Sequence, residues 1–167
     1  DVIARAINSA LFLSHGIRKD TQIVVHLMGN GPPRRVFLDG RDLKGVSPDE
    51  RSISGHFKSL IKTPVPPIGR FQPVSAGIRQ SGGDISQTLR EWHDEGVKCY
   101  ILDMNGEGIT DSQIDDKCGF VLSDDIALEI GDGGGDYPVF PISLGKQWLQ
   151  GHSCITIVHY HIDSQIQ

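Results

Sequence analysis

The sequence predicts an α/β fold built on a mostly parallel sheet with helices on both faces, and three observations carry that prediction. Segments of helical period alternate along the chain with short β-rich runs. Two of those runs, Phe120-Val121-Leu122 and Val139 to Ile142, each empty into a loop of small or polar residues, Ser123-Asp124-Asp125 and Ser143-Leu144-Gly145. A further element opens on Cys154 soon afterwards. Loops that follow neighbouring strands expose backbone donors and acceptors side by side, which is how α/β domains hold flat, polar ligands.

Taken in order, Val2 to Ser14 places Val2, Ile3, Ala6, Ile7, Ala10, Leu11 and Leu13 at helical spacing, stopping at Gly16. Gln22 to Met28 reads as a strand, and the turn Gly29-Asn30-Gly31-Pro32-Pro33 ends it. Val36 to Leu38 is a short strand closed by Asp39-Gly40. Ser47-Pro48-Asp49-Glu50 reads as a helix start, with Ser47 as N-cap, Pro48 in the first turn and Glu50 completing a capping box. That helix is predicted to reach about Lys62 with Ile53, Phe57, Leu60 and Ile61 facing inward.

Pro64, Pro66, Pro67 and Pro73 make the next stretch stiff and extended. Val74 to Ile78 is a predicted strand, Asp84 to Glu95 a helix, and Lys98 to Leu102, Phe120 to Leu122 and Val139 to Ile142 are further strands. Ile155 to Val158 has strand propensity. The stripe Ile155, Val158, Ile162 and Ile166, at spacings of three and four, predicts a helix instead.

Composition bounds the function loosely. A chain of 167 residues with 38% hydrophobic and 22% charged side chains suits a single globular domain over residues 1–167. No apolar run has the length of a membrane span. The chain opens at Asp1 inside a helical pattern, which predicts that an N-terminal segment is absent. Three cysteines, Cys99, Cys118 and Cys154, have no metal spacing and no paired count, so reduced thiols in a cytoplasmic setting are expected. Between Arg34 and Arg79 stand nine basic side chains against four acidic ones, a local charge of +5 in a chain of formal charge −5. A segment charged against the rest of its protein can attract a polyanion, although solvated surface charge explains it equally well.

Three chemistries are excluded on their motifs. Gly131-Asp132-Gly133 lacks the preceding strand, the third glycine and the Lys-Ser/Thr of a phosphate loop, and reads as a surface loop. His152, His159 and His161 match no zinc spacing, so no metal is expected. No Gly-x-Ser-x-Gly elbow is present for a serine hydrolase.

The order Asn8-Ser9-Ala10, Ser47-Pro48-Asp49-Glu50-Arg51, Gly55-His56, Tyr100-Ile101-Leu102, Phe120 to Asp124, Ser143-Leu144-Gly145 and Cys154 to His159 resembles the TrmY family across essentially the whole chain. Those proteins are tRNA pseudouridine-N1 methyltransferases of the SPOUT class. The resemblance implies a C-terminal trefoil knot, a homodimer, tRNA as substrate and S-adenosylmethionine as methyl donor. By position, it puts the cofactor against Leu102, Leu122, Ser123, Asp124, Ser143, Leu144, Gly145, Leu149 and Cys154, though each leucine taken singly could be ordinary core. It also makes Asp49 the candidate catalytic group, either as the base for the N1 proton or as a hydrogen-bond acceptor that orients the nucleobase. On this reading Arg51, with Arg34 and Arg35, would grip RNA phosphates.

The chain departs from the family at Ser123-Asp124-Asp125, where Gly-Asp-His is usual, and at His152-Ser153-Cys154, where Ser-His-Cys is usual. Two alternatives stay open: methylation of another RNA base or of ribose, and a non-catalytic RNA-binding dimer whose cofactor site has degenerated.

Overall fold

In the computed structural model, which describes residues 2–29, 31–123 and 137–165, the apolar period of the first segment does form a helix. α1 (Val2–Leu11) buries Ala4, Ile7, Ala10 and Leu11. Each of the two larger residues contributes about 1.5–3 kcal/mol through its burial. The helix ends three residues before the predicted Ser14, because β1 (Phe12–Leu13) and β2 (Gly16–Ile17) pair as a small antiparallel hairpin.

The chain folds as two compact units, residues 1–87 and 88–167, with the boundary inside a helix. The first unit holds a four-stranded sheet of β3 (Gln22–Leu27), β4 (Arg34–Asp39), β5 (Gln72–Ser75) and β6 (Ile78–Gly82), in the order β3-β4-β6-β5. Every pairing in it is antiparallel. This corrects the expectation of one mostly parallel sheet. The segments between β3 and β4 and between β5 and β6 are too short for a crossover, so they can join only antiparallel strands. The second is the turn Ala76-Gly77, with Gly77 at φ 81°, so the predicted single strand Val74 to Ile78 is two strands. Pro73 is accommodated because β5 is an edge strand.

α2 (Glu50–Leu60) buries Ile53 and Leu60, while Phe57 is half-buried. Ile61 is 57% exposed and not inward-facing as predicted, because it is the C-cap and α2 ends there. α3 (Ile85–Asp94) follows β6 and crosses the boundary of the two units.

The second unit carries the parallel sheet that the sequence predicted. β7 (Lys98–Gly108) lies between β8 (Cys118–Val121) and β9 (Val139–Ser143), parallel to both. α4 (Gly151–Gln165) is helical, as the stripe of three and four predicted. Its Val158 joins Tyr100, Ile109, Ile114 and Ile142 in one buried cluster, with Leu102, Leu144 and Ile162 packed against it. Tyr100 stacks on Phe120 at 5.1 Å between ring centroids. No helix among the described residues is long and apolar enough to cross a membrane.

Candidate functional site

The strand ends of the second unit bring most of the predicted cofactor residues to one edge. In the parallel register Ile101 pairs with Val121 and Leu102 with Ile142. Leu102, Leu122 and Ser143 therefore sit at corresponding C-terminal ends, the side on which open α/β sheets bind ligands. Leu102, Leu122, Ser123 and Leu144 are half-buried, so apolar surface remains available there.

The loop after β9 is held by its own serine. Ser143 Oγ accepts the Gly145 N–H at 3.1 Å and lies 3.3 Å from the Gly145 carbonyl. Gly145 has φ 123°, a conformation that side chains with a Cβ rarely adopt, and its missing Cβ points into open space. Leu149 and Cys154 come together at the start of α4, where the Cys154 thiol reaches the Leu149 carbonyl at 3.8 Å. Asp124, with Asp125 and the Gly131 loop, lies outside the described residues.

After Leu102 the chain makes an excursion over residues 103–106 and then rejoins β9, pairing Glu107 with Ile142 and Gly108 with Ser143. Gly106 permits this return: a Cβ there would stand 2.6 Å from the Pro141 carbonyl carbon. Beside the excursion lies a shallow cleft of about 370 Å³, lined by Lys98, Tyr100, Asn105, Glu107 and Phe140 among others. Among the described residues, none of those predicted for the cofactor lines it. No local pattern in the chain announces this cleft, because its shape depends on the rejoined register of β7.

Asp49 stands at the start of α2, though in a different part from that predicted. Asp49 itself, not Ser47, is the N-cap: its Oδ1 accepts the Ser52 N–H at 2.8 Å. Ser47 contributes its backbone N–H to Ser52 Oγ at 3.0 Å. A carboxylate serves the helix terminus better than a hydroxyl because it also complements the positive end of the dipole. The loop before it is clamped twice more. Asn8 Nδ2 donates to the Pro48 carbonyl at 2.6 Å, and His56 Nε2 lies 3.1 Å from the Gly45 carbonyl. Asn8 and His56, noted in the sequence only as parts of motifs, thus brace the Asp49 loop.

The three predicted phosphate-gripping arginines separate. Arg51 is exposed on the first turn of α2. Arg34 is 7% exposed and donates to Leu60 O, Thr63 O, Thr63 Oγ1 and Gln80 Oε1 at 2.6–3.2 Å. Burial also lowers its pKa. Arg35 is fully buried, donating to Gly82 O at 3.0 Å and Ser81 Oγ at 3.3 Å, with its guanidinium over Phe37 and Phe71. Neither presents a free fork to solvent, whereas gripping an RNA phosphate needs one. Alternation along β4 sends them to opposite faces of the sheet, and both faces are covered at that point.

The thiols divide by environment. Burial raises the pKa of Cys99, and burial with the nearby Asp115 and Asp116 pushes Cys118 up to about 11. Both behave as small apolar residues rather than nucleophiles.

The chain is similar to known RNA methyltransferases over nearly its whole length. The family described as "Putative SAM-dependent RNA methyltransferase" matches residues 1–166. The tRNA (pseudouridine(54)-N(1))-methyltransferase of Methanococcus aeolicus is 32% identical over 172 residues, covering 98% of this chain and 83% of that protein. The protein of the same name from Methanocaldococcus jannaschii is 29% identical over 179 residues, covering 99% and 83%. Among solved structures, Nep1 of Archaeoglobus fulgidus, crystallised with S-adenosylhomocysteine, aligns with a TM-score of 0.63 over 98% of this chain and 69% of that one. At 13% identity this last likeness speaks for the fold alone.

Proposed function

The chain belongs to this family of SAM-dependent RNA methyltransferases, and from that premise we propose that it transfers the methyl group of S-adenosylmethionine to N1 of a pseudouridine in tRNA. The observation that carries the reading is similarity to tRNA pseudouridine methyltransferases over 98% of the chain. The reading extends to residues 1–167 acting as one SPOUT-like domain, a trefoil knot in the C-terminal half, a homodimer and a cytoplasmic setting.

The residues at the parallel-sheet edge suit the cofactor. Leu102, Leu122, Leu144 and Leu149 offer half-buried apolar surface for the faces of an adenine. The backbone of Leu122-Ser123 and Ser143-Leu144-Gly145 offers donors and acceptors for its edge, with Asp124 following in the sequence. Gly145 allows close backbone approach, and Cys154 closes the pocket near Leu149. When bound, the cofactor supplies an activated methyl group for in-line displacement, so the protein's main task is placement. For N1 to take that methyl group, the proton on N1 would have to leave.

Asp49 is the group proposed to take or steer that proton. Its carboxylate is exposed and keeps one oxygen on the Ser52 N–H. That suits an acceptor which orients the base at least as well as it suits a strong base. Cys154 is given no nucleophilic role, because a nitrogen acceptor needs no covalent adduct. Arg51 is the exposed arginine proposed to contact a phosphate, and the target base must leave its stack to be reached.

The test uses two tRNA transcripts that differ only in carrying pseudouridine or uridine at the target position. With S-adenosylmethionine, nucleoside mass spectrometry should find N1-methylpseudouridine in the first and nothing in the second. Methylation of both would move the activity to another base or to ribose. Methylation of neither, together with no calorimetric binding of S-adenosylhomocysteine, would leave only a non-catalytic RNA binder.

A further inference from the structure

Three arginines on the antiparallel sheet of the first unit differ in how their donors are used. Arg34 and Arg35 are buried and bonded, as described above. Arg79, on β6 directly opposite Phe37, is exposed, and among the described residues it has no hydrogen-bond or carboxylate partner.

Two aromatic rings hold it in place. The Arg79 guanidinium carbon lies 5.2 Å from the centroid of Phe37 and 4.9 Å from that of Phe71. The rings themselves meet edge to face at 5.2 Å. Phe37 is buried, whereas Phe71 keeps 37% of its surface exposed. Stacking engages the flat face of a guanidinium and leaves its N–H edge free to bind an anion. Arg79 is therefore an ordered cation whose donors are still available.

The surroundings indicate which anion. Arg70, next to Phe71 in the chain, is exposed, and both belong to the segment whose charge is +5. Along β5 beside Phe71 runs a groove of about 910 Å³. Its walls include Arg70, Gln72 and Gln80 between proline and aliphatic surfaces, and among the described residues no acidic side chain lines it. Arg70 and the exposed Phe71 ring line this groove, and Arg79 stacks on the same ring beside it; charge for the phosphate and a ring for the base are what a single nucleic-acid strand requires.

We propose that Arg79 and Phe71, with the adjoining groove, form a subsite for an unpaired nucleotide of the RNA substrate, Arg79 on a phosphate and Phe71 against a base. The subsite rests on the RNA-methyltransferase reading and extends it to a surface that the family's motifs leave unassigned.

Fluorescence anisotropy of labelled tRNA over a salt series tests it, with Arg79→Gln, Phe71→Leu and Phe71→Trp beside the wild type. Arg79→Gln should weaken tRNA binding about tenfold and lower the salt slope by about one. Phe71→Leu should weaken it roughly 5- to 100-fold, whereas Phe71→Trp should bind at least as tightly as wild type, since stacking persists. Calorimetric affinity for S-adenosylhomocysteine should stay the same in all three. Should Phe71→Leu fail to fold in a thermal scan, the tryptophan variant decides for the ring: weakened tRNA binding overturns its role. An unchanged affinity and salt slope in Arg79→Gln overturns the subsite. If those variants methylate tRNA with wild-type KM, the subsite alone falls; if wild type binds neither tRNA nor S-adenosylhomocysteine, the functional reading falls with it.

Discussion

Asp49 Oδ1 accepts the backbone N–H of Ser52 at 2.8 Å, so the carboxylate proposed for the chemistry is also the cap of α2. The two roles can be separated by substitution. Asp49→Ala should cost about 1 kcal/mol of stability as a lost cap. Asp49→Asn keeps a capping oxygen and should be nearly neutral in urea unfolding. Both should lower methyl transfer by about a hundredfold or more if the charge is needed. Full activity in the asparagine variant would reduce Asp49 to a structural cap.

Arg34 gives a second prediction. Its fork reaches Leu60, Thr63 and Gln80 together, a geometry that a lysine ammonium cannot reproduce. Arg34→Lys should destabilise the protein by about 2–3 kcal/mol, because buried acceptors are left unpaired. Arg34→Gln, which also removes the charge, should leave the salt dependence of tRNA binding at the wild-type value. A folded glutamine variant with a shallower salt slope would return Arg34 to the RNA surface.

These two residues also show what could be read from the chain and what could not. The helices α1 and α4 and the run of strands from Lys98 onward were legible, because a period of 3.6 or a β-rich run bounded by Gly and Asp is a local property. The loops after Leu102, Leu122 and Ile142 were legible as a group, since parallel strands send their C-terminal ends the same way. Strand pairing is not local. Ser75-Ala76-Gly77 looked like the middle of one strand, and only the pairing of Pro73 with Arg79 reveals a hairpin. The fate of the arginines was hidden for a related reason. Arg is usually exposed, and nothing near Arg34 in the sequence announces that Gln80 Oε1, 46 residues away, will meet it at 2.6 Å. At α2, Ser47 and Asp49 both had the chemistry of a cap, and the backbone geometry chose the second.

A pH dependence follows from His26. It sits on β3 opposite Arg35, and its pKa is pushed down to about 4, first by burial and then by the Arg35 charge, with Asp84 pulling the other way. An unfolded histidine protonates near 6.5. Between those values the unfolded chain binds more protons than the folded one, so stability is full above about pH 6.5 and falls as pH drops toward 4. The loss should reach about 3 kcal/mol. Urea unfolding of His26→Gln should show a flatter profile over that window; parallel profiles for variant and wild type would assign the acid loss to other groups.

The thiols allow the cofactor pocket to be probed without an activity assay. Cys154 is half-buried at the start of α4 with its sulfur near the Leu149 carbonyl, whereas burial raises the pKa of both Cys99 and Cys118. The thiolate is the reactive form, so iodoacetamide at neutral pH should leave Cys99 and Cys118 largely unmodified, as read by peptide mass spectrometry. Modification of Cys154 should slow about tenfold when S-adenosylhomocysteine is present at ten times its Kd, if ligand and reagent compete for one space. Cys154→Trp would fill the same space and should abolish ligand binding while leaving the thermal transition close to that of the wild type. Undiminished affinity in that variant, or labelling of Cys154 that ignores the ligand, would remove Cys154 and Leu149 from the pocket and place the methyl donor elsewhere along the sheet edge.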